Sequence, residues 1–580
     1  MAKKDLQQLQ TIKERMIVAG IPEDEVNALV DPLKNELQRR VCGLVWEHTT
    51  TSIPDMEGKI PALTPVTGKS IVNNIKGDNH VLIEGENLLA LMAMQYTHID
   101  ENGKGMIDVI YIDPPYNTGS VSFAYNDKFE KSEWLSMMDI RLKLARNLLK
   151  DDGVIFISID ETYQAELKML CYEVFRQPNV EEMVWKEESL VNGTRSGKMK
   201  ASPRFRIDHE YIVVCYKNKT ASTFRKVMAY SKVTQEYGNA DNDPRGNWIS
   251  CDTCQSAEKS KPNGKNYYSY TTPGGAVYSR QWYFTRDELD ALVADNRIYF
   301  GKTGNNVPRL KKFLSEKRPI TQGSILDDVG SSADGRRTLA QIFGVGEKEA
   351  ESLFPYPKPV TLISRLLDLA NKPNAIVLDF FAGTGTTGHA VLDLNKEDGG
   401  HRQFILCTNN ELGKDALKTA KKNGYVAGSE EYEALGVCHA VTYPRMQNIF
   451  PDYPGNNLYY YRIDQNIAES AIDDVTIANM ASRAVFYVAM KENVYNAEQH
   501  DDYYLLYNDK TDIAVVTDPD MDMFDVEDEI VPTAFTREHR KVYCSVYESC
   551  MRNGIEYIPY PKEVLDVLKA AKKYIRREAA

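Results

Sequence analysis

The chain has 580 residues, 42% hydrophobic and 26% charged, which is typical of a globular protein with about three or four domains. Its apolar runs are shorter than the roughly 18 residues of a membrane-spanning helix. Its start lacks the apolar core of an export signal, and its nine cysteines lack a disulfide spacing. We therefore expect a cytoplasmic protein with no membrane partner. The net charge of −13 excludes a uniformly basic nucleic-acid binder, so such binding would depend on local basic runs.

The first part of the chain alternates between helix and strand patterns. Residues 1–60 are predicted to form an N-terminal helical segment, and residues 61–220 the first part of a larger domain. Within that part, "NHVLIEGENLLALMAM" predicts a strand, a turn and a helix. "MIDVIYID" and "GVIFISID" predict buried strands on either side of the helix "KSEWLSMMDIRLKLARNLL". This alternation is typical of an α/β protein with a parallel sheet covered by helices.

An acid and two prolines end the second of these strands. Asp113 stands where the strand must stop, because Pro114 and Pro115 cannot donate hydrogen bonds to a sheet. A carboxylate at the carboxyl end of a buried parallel strand is placed to meet a ligand. An ordinary strand-ending turn is the alternative interpretation of Asp-Pro-Pro by itself, because acids and prolines are common turn residues.

The composition changes between residues 221 and 350. Gly, Asn, Asp and Tyr become frequent and long apolar strands disappear, which predicts an inserted domain of irregular or β-rich structure. The run "KTGNNVPRLKKFLSEKR" has six basic residues and one acid, and a solvated surface is its alternative interpretation. "CDTC" is a single C-x-x-C without a second ligand pair, so no metal is expected. The candidate phosphate contacts in the basic run are Lys302, Arg309, Lys311 and Lys312.

The alternation resumes over residues 351–450 with "VLDFFAGTGTTGHAV", a strand, a glycine turn and a helix start. Its glycines satisfy G-x-G-x-x-G, which invites a dinucleotide site. Asp379 before the turn would repel a pyrophosphate and attract a cationic ligand with a free amino group, such as the methionine part of S-adenosylmethionine. Residues 451–580 are rich in tyrosine and are predicted to form a small C-terminal α/β domain.

Taken together, the two motifs resemble the amino-methyltransferases that modify adenine or cytosine in DNA. Asp-Pro-Pro-Tyr precedes Asp-x-Phe-x-Gly-x-Gly, as in their circularly permuted subgroup. The strings "YIDPPYNTGSVSFAYNDKF", "FPYPKPVTLI" and "DFFAGTGTTGHAVLDLN" are similar to the modification subunit of type III restriction–modification systems, closely over residues 70–220 and 350–415. The resemblance implies a Rossmann-like, circularly permuted, S-adenosylmethionine-dependent methyltransferase sheet with an inserted target-recognition domain.

This resemblance also implies a reaction: sequence-specific transfer of a methyl group to adenine N6 of a base flipped out of double-stranded DNA. Asp113 and the carbonyl of Pro114 would each accept a hydrogen bond from the amine, and Pro115 would stiffen the loop. Tyr116 would stack on the base. Further contacts to the base or to DNA are expected from Asn117, Phe123 and Tyr125, although aromatic packing is the alternative for the last two.

For the cofactor, the resemblance implies a cradle around the methionine end of S-adenosylmethionine. Glu411 is expected at the ribose, with a solvated acid as its alternative. Glu86, where the family more often has aspartate, and Asn87 are expected near the adenosine. Lys358 is expected to contact the cofactor, with a plain surface lysine as its alternative. The residues of the cradle itself are Asp379, Phe380, Phe381, Ala382, Gly383, Gly385 and Thr386.

Three other functions stay open at this point. Cytosine N4 methylation uses the same geometry, a catalytically idle subunit would only recognise DNA, and a dinucleotide-dependent oxidoreductase would use the glycine turn differently. Carbon methylation of cytosine is disfavoured because the chain lacks a Pro-Cys pair for the nucleophile. The expected setting is prokaryotic or phage-encoded. A homodimer and a separate restriction subunit are left open, and the latter would supply ATP-driven cleavage because no G-x-x-x-x-G-K-[ST] occurs here.

Overall fold

A computed structural model describes residues 59–116, 131–187, 205–230, 238–468 and 474–571, with short pieces at 9–30, 189–191 and 194–196. Single positions within these ranges are excepted, as are most residues of 9–30. Most of the predicted N-terminal helical segment therefore lies outside the described residues, as do Asn117, Phe123 and Tyr125. The chain divides into two compact units: one combines Met1–Phe224 with Ser324–Ala580, and the other is Arg225–Gly323.

The strands are numbered in chain order. They are β1 Lys59–Pro65, β2 Asp78–Gly85, β3 Ile107–Ile112, β4 Leu149–Ile159, β5 Val180–Lys186, β6 Ser189–Val191, β7 Thr194–Ser196, β8 His209–Tyr216, β9 Val227–Tyr230, β10 Trp248–Asp252, β11 Tyr267–Thr271, β12 Val277–Gln281, β13 Ile298–Tyr299, β14 Arg309–Phe313, β15 Lys317–Ile320, β16 Ile325–Leu326, β17 Ile376–Asp379, β18 Gln403–Thr408, β19 Asn456–Ala468, β20 Asn496–Gln499, β21 Tyr503–Tyr507, β22 Thr511–Val516, β23 His539–Cys544, β24 Cys550–Arg552 and β25 Ile555–Pro559.

The helices are numbered in the same way. They are α1 Asn87–Thr97, α2 Lys131–Leu148, α3 Gln164–Phe175, α4 Arg286–Ala294, α5 Ser332–Phe343, α6 Glu347–Leu353, α7 Val360–Ala370, α8 Thr386–Asp398, α9 Lys414–Asn423, α10 Glu430–Glu433, α11 Tyr443–Ile449, α12 Asp474–Glu492, α13 Met523–Asp525 and α14 Val531–Ala534.

A ten-stranded sheet organises the first unit, in the order β1-β19-β2-β18-β17-β3-β4-β8-β5-β16. The five neighbours β2, β18, β17, β3 and β4 are parallel, so their carboxyl ends share one edge. β8 is antiparallel to both β4 and β5. β17, from late in the chain, lies between β18 and the much earlier β3. The α/β fold class and the permuted strand order are thus confirmed.

Central strands of this sheet are buried on both faces, which explains their continuous apolar runs. All six residues of β3 are buried, and β4 is buried from Gly153 to its end. The helix α7 packs an apolar face containing Leu362, Ile363 and Leu366 against the sheet side of the unit, while its opposite face is polar. Burial of both faces leaves the carboxyl edge of the strands as the place where polar side chains collect.

In its described residues, the second unit, Arg225–Gly323, contains small antiparallel sheets and one helix. β10, β14 and β13 form one sheet, while β11 pairs with β12 and β9 with β15. α4 begins in a capping box of Thr285 and Glu288. The inserted domain was predicted over residues 221–350, but residues 324–350 belong to the first unit, where β16 pairs with β5 of the large sheet.

The C-terminal residues form a six-stranded mixed sheet in the order β20-β21-β22-β23-β25-β24. Residues 451–580 were predicted to form a small α/β domain of their own, but part of this stretch belongs to the first unit's large sheet. β19 belongs to the large sheet, where it pairs in parallel with β2, and α12 packs on α1. The two sheets therefore share one hydrophobic core. Among the helices of the described part of the chain, none has the length and apolar character to cross a membrane.

Candidate active site at the carboxyl edge of the sheet

The structure brings the two predicted carboxylates to the same edge of the sheet. β17 and β3 are parallel neighbours with Leu378 opposite Ile110, so Asp379 and Asp113 stand at adjacent strand ends. Their charges interact, because Asp113 contributes to a raised pKa of Asp379. The placement comes from topology: Asp113 ends an early strand and Asp379 a late one, and only the permuted strand order makes these strands neighbours.

Asp113 is held in a network of four side chains. The hydroxyl of Tyr116 lies 2.7 Å from Asp113 Oδ1 and 2.9 Å from Glu210 Oε2. Lys358 Nζ donates to that hydroxyl at 2.7 Å, and it lies 3.2 Å from each of the two carboxylate oxygens. The ammonium also lies 4.9 Å from the centre of the Tyr116 ring, within range of a cation–π contact.

Burial and charge act against each other in this network. Burial raises the pKa of Asp113, and the adjacent Lys358 lowers it. Burial also lowers the pKa of Lys358, but the carboxylates of Asp113 and Glu210 outweigh this and raise it above its ordinary value. Lys358 is therefore a charged ammonium, and its positive charge keeps the half-buried Asp113 carboxylate ionisable.

Some acceptor atoms of the Asp113–Pro115 loop receive a hydrogen bond, and others have no donor among the described residues. Trp134 Nε1 donates to the carbonyl of Pro115 at 2.7 Å, which anchors the loop to α2. No described residue donates to the carbonyl of the buried Pro114. Both contacts on Asp113 reach Oδ1, so within the described ranges Oδ2 also has no hydrogen bond. Among the described residues the loop thus presents two acceptors without donors, Oδ2 of the half-buried Asp113 side chain and the carbonyl of the buried Pro114, which are available to a ligand.

The glycine turn follows directly from Asp379. This buried carboxylate accepts from the Phe381 amide at 3.0 Å and from the Thr387 hydroxyl at 2.5 Å. Burial raises the pKa of Asp379 to about 7. Gly383 and Gly385 have φ of +49° and +75°, in the left-handed region that favours glycine. The turn therefore carries backbone N–H groups and a titratable carboxylate within a few residues.

Two residues that the sequence analysis missed donate hydrogen bonds to this turn. Thr442 Oγ1 donates to the Gly383 carbonyl at 2.5 Å. Arg445 Nη1 donates to the Thr386 hydroxyl at 2.8 Å and to the Thr384 carbonyl at 3.3 Å. Both come from the "VTYPR" stretch entering α11, which shows no chemistry-bearing pattern of its own. Phe380, Ala382 and Thr386 of the predicted cradle are buried.

We expect Gly385→Ala to destabilise the protein more than Gly428→Ala. Both glycines have positive φ, which costs alanine about 1–2 kcal/mol. A Cβ at Gly385 would also meet Met446 at 3.1 Å, whereas nothing lies within 4 Å of one at Gly428. Scanning calorimetry should give Gly385→Ala an additional loss of about 1–3 kcal/mol in the free energy of unfolding. Equal losses would mean that the turn at Gly385 is not closely packed.

The predicted adenosine contacts join α1 to the glycine motif. Asn87 Nδ2 donates to the Phe380 carbonyl at 2.8 Å, and its Oδ1 accepts from Arg141 Nε at 2.6 Å. Glu86 caps α1 by accepting from the Leu88 amide and forms an ion pair with Arg141. Arg141 lies on α2 and was not predicted. Glu86 and Asn87 are thus placed beside the turn, and their contact with an adenosine stays a prediction.

Residues after β18 extend the edge further. Asn409 Nδ2 donates to Glu411 Oε1 at 2.7 Å, while the Asn409 amide oxygen is buried without a donor among the described residues. Asn409 was missed, although its place directly after a buried strand was the available signal. The Lys358 ammonium lies against the carboxylates of Asp113 and Glu210, and its contact with a cofactor stays a prediction.

The predicted phosphate contacts of the second unit separate into exposed and paired residues. Lys302 is exposed and Lys312 is half-buried. Arg309 forms an ion pair with Asp252. The prediction that Lys311 meets a phosphate is wrong: its side chain is fully buried between two carboxylates. Charge spacing in the sequence does not reveal such partners, because Asp243 is 68 residues away in the chain.

We expect Lys311→Met to loosen the second unit, because the substitution leaves Asp241 and Asp243 without their shared cation. Breaking a buried ion pair on one side costs about 3–5 kcal/mol, and the pair that Asp243 keeps with Arg245 should reduce this loss. Hydrogen exchange measured by mass spectrometry should rise at least tenfold in peptides covering β10 and β14. Lys302→Met is the control and should leave exchange unchanged, since Lys302 is exposed. An unchanged pattern for Lys311→Met would contradict the structural role.

In the described ranges, no cluster of three or more His, Cys, Asp or Glu side chains is arranged to hold a metal ion. Cys251 and Cys254 of the C-x-x-C stretch are free thiols in the second unit. His209 lies 3.1 Å from the Tyr211 hydroxyl, beside the network but outside it. The described part of the edge presents carboxylates, one ammonium, a hydroxyl and backbone groups.

Comparison with known proteins gives several related DNA-modifying enzymes. The Mod subunit of the type III restriction–modification enzyme StyLTI from Salmonella typhimurium is 33% identical over 400 residues, covering 64% of this chain and 58% of that protein. The EcoP15I Mod subunit of Escherichia coli is 30% identical, covering 60% and 61%. The EcoPI Mod subunit of Escherichia phage P1 is 30% identical, covering 65% and 62%. The chain thus spans about three fifths of the length of these relatives.

A family model described as DNA methylase matches residues 107–422. The match begins at β3, includes Asp113, Glu210, Lys358 and Asp379, and ends within α9. It therefore contains both strand ends of the site and the whole second unit between them. Because this model covers more than half of the 580 residues, the chain belongs to the DNA methylase family.

Proposed function

We propose that the chain is a sequence-specific DNA methyltransferase that transfers a methyl group from S-adenosylmethionine to adenine N6. The observation that supports it most is the pairing of two sites at one edge. Asp113 and Pro114 offer acceptors that lack donors among the described residues, and Asp379 with its glycine turn lies at the next strand end. The Mod names of the relatives favour adenine as the base and a type III-like modification component as the role.

The exocyclic amine of adenine is a weak nucleophile because its lone pair is delocalised into the ring. Asp113 Oδ2 would accept one amine hydrogen and the Pro114 carbonyl the other. Two acceptors hold the nitrogen towards a tetrahedral shape, which localises the lone pair on the side of the methyl donor. This is catalysis by positioning and electrostatics, without a covalent intermediate. Tyr116 and Trp134 stiffen the loop that carries both acceptors.

S-Adenosylmethionine fits the residues at the neighbouring strand end, around Asp379 and the glycine turn. When bound, it supplies an electrophilic methyl group on a sulfonium. Asp379 would attract its cationic methionine end, and the turn through Gly383 and Gly385 lets the backbone approach closely. The buried Asn409 amide oxygen, which lacks a donor among the described residues, is a place for a ribose hydroxyl together with Glu411. Glu86 and Asn87 would lie near the adenosine.

Double-stranded DNA is the proposed substrate, and the second unit, Arg225–Gly323, is proposed to read the recognition sequence. Lys302 and Lys312 are the proposed phosphate contacts, since Lys311 is buried and Arg309 is paired. A flipped base would be stacked by Tyr116 and flanked by Asn117, Phe123 and Tyr125. The proposed protein partners are a separate restriction subunit and a second copy of the chain. The proposed location is the cytoplasm, for a protein that is prokaryotic or phage-encoded.

Incubation with labelled S-adenosylmethionine and unmethylated genomic DNA, followed by modification-sensitive sequencing, tests the function. The expected product is N6-methyladenine within one short recognition sequence. Detection of N4-methylcytosine in its place would identify cytosine as the substrate base. No transfer by the wild-type chain would contradict the proposal and favour a subunit that only recognises DNA. Thermal stabilisation by a nicotinamide dinucleotide and not by S-adenosylmethionine would contradict it as well.

A further inference from the structure

Glu210 reaches the site from a strand on which no functional residue was predicted. It is the second residue of β8, opposite Trp185 on β5, at the end of β8 that lies beside the carboxyl end of β4. Its side chain is half-buried, at 16% exposed. Antiparallel insertion of β8 into a parallel sheet is what carries this carboxylate to the edge where Asp113 stands.

The contacts of Glu210 are the same two that Asp113 makes. Tyr116 has one hydroxyl proton, so at any moment it can donate to Asp113 Oδ1 or to Glu210 Oε2 but not to both. Lys358 is 3.2 Å from each carboxylate. Two acids therefore share one ammonium and one hydroxyl, and the four groups together carry a net charge of −1 when both acids are ionised.

We propose that Glu210 is a positioning residue for methyl transfer: it draws Lys358 and Tyr116 partly away from Asp113, so that Asp113 stays a strong acceptor for the substrate amine. This inference rests on the proposed function. Without the second carboxylate, the ammonium and the hydroxyl would both bind Asp113 fully. An aspartate that is neutralised by a cation and a hydrogen bond accepts a third hydrogen bond less strongly.

Removal of the Glu210 charge has a second, measurable consequence. A like charge nearby disfavours ionisation, so Glu210→Gln should lower the pKa of Asp113. Activity requires Asp113 to be ionised, and the acid limb of the pH profile should therefore move to lower pH. The groups that face Asp113 or Glu210 in this titration are Tyr111 from β3, Tyr116 from the loop, Asp160 after β4, Lys358 before α7 and Asp379 from β17.

The test compares wild type, Glu210→Gln and Glu210→Asp in the methyl-transfer assay at saturating S-adenosylmethionine, which keeps Asp379 ionised. We expect Glu210→Gln to lower kcat at least tenfold, to leave the KM for S-adenosylmethionine within twofold and to shift the acid limb downwards. Glu210→Asp keeps the charge and should recover part of kcat and the wild-type limb.

A matched control lies at the other end of the same pair of strands. Glu181 on β5 accepts from the Tyr216 hydroxyl at 2.8 Å and pairs with Lys219, so it has the same kinds of partners outside the site. Glu181→Gln should leave kcat and the pH profile unchanged. Wild-type kcat and pH profile in Glu210→Gln would overturn the inference, as would a loss of kcat that appears only with a lowered melting temperature and an unmoved acid limb. Failure of the proposed function is distinguishable, because the wild-type chain would then transfer no methyl group.

Discussion

Replacing Asp113 by asparagine is expected to lower kcat for methyl transfer by about 10²- to 10³-fold while the protein remains folded. The loss is comparable to the removal of one preorganised hydrogen-bonding group from a catalytic site. The carboxylate would be replaced by an amide whose NH₂ end cannot accept from the substrate amine. A rate measurement with saturating DNA and S-adenosylmethionine gives kcat, and scanning calorimetry gives the melting temperature.

Folding of Asp113→Asn should be preserved because each partner keeps another acceptor. Lys358 still has Glu210 at 3.2 Å, and the Tyr116 hydroxyl can donate to Glu210 alone. The raised pKa of Asp113 means that its charged form is disfavoured by folding, so a neutral side chain costs little stability there. S-Adenosylmethionine should bind to the variant with wild-type affinity. Activity within a few-fold of wild type would remove Asp113 from the proposed mechanism.

The affinity for S-adenosylmethionine is expected to increase with pH between about 5.5 and 7.5. Burial raises the pKa of Asp379 to about 7, so below this pH the carboxyl of the free protein is largely protonated. A cationic ligand binds the ionised form, and each pH unit below 7 should therefore weaken binding by up to about tenfold. The ligand's own α-amino group, with a pKa of about 7.7–8.0, stays mainly protonated over this range. Isothermal titration calorimetry measures the Kd at each pH.

Asp379→Asn provides the comparison for this pH dependence. The variant lacks the titrating group, so its Kd should be raised at pH 7.5 and should vary little down to pH 5.5. The amide can still accept from the Phe381 amide through its oxygen, which preserves part of the turn. A wild-type Kd that does not change across the range would mean that Asp379 does not face the cationic end of the ligand.

Sequence alone predicted what depends on near neighbours in the chain. Uninterrupted apolar runs identified β3 and β4 because central strands of a parallel sheet are buried on both faces. Proline placed Asp113 at a strand end, and glycines with an acid before them placed Asp379 at another. These are local rules of backbone geometry and hydrogen bonding, so they can be read without knowledge of the rest of the fold.

Contacts between residues far apart in the chain could not be predicted from these local rules. Lys311 appeared as a surface cation because its neighbours in sequence are basic, yet Asp241 and Asp243 enclose it in the folded unit. Glu210, Thr442 and Arg445 were not predicted as site residues, because no local motif in the sequence marks them. In each case the decisive contact joins residues that are tens to hundreds of positions apart.

The sequence by itself therefore determined the α/β class, the two motifs and the ends of their strands, since each follows from local periodicity and turn chemistry. Only the tertiary structure decided that Asp113 shares Lys358 and Tyr116 with Glu210, and that β19 joins the large sheet beside β2. Strand order is set by the packing of the whole chain, and strand order is what brings distant carboxylates to one edge.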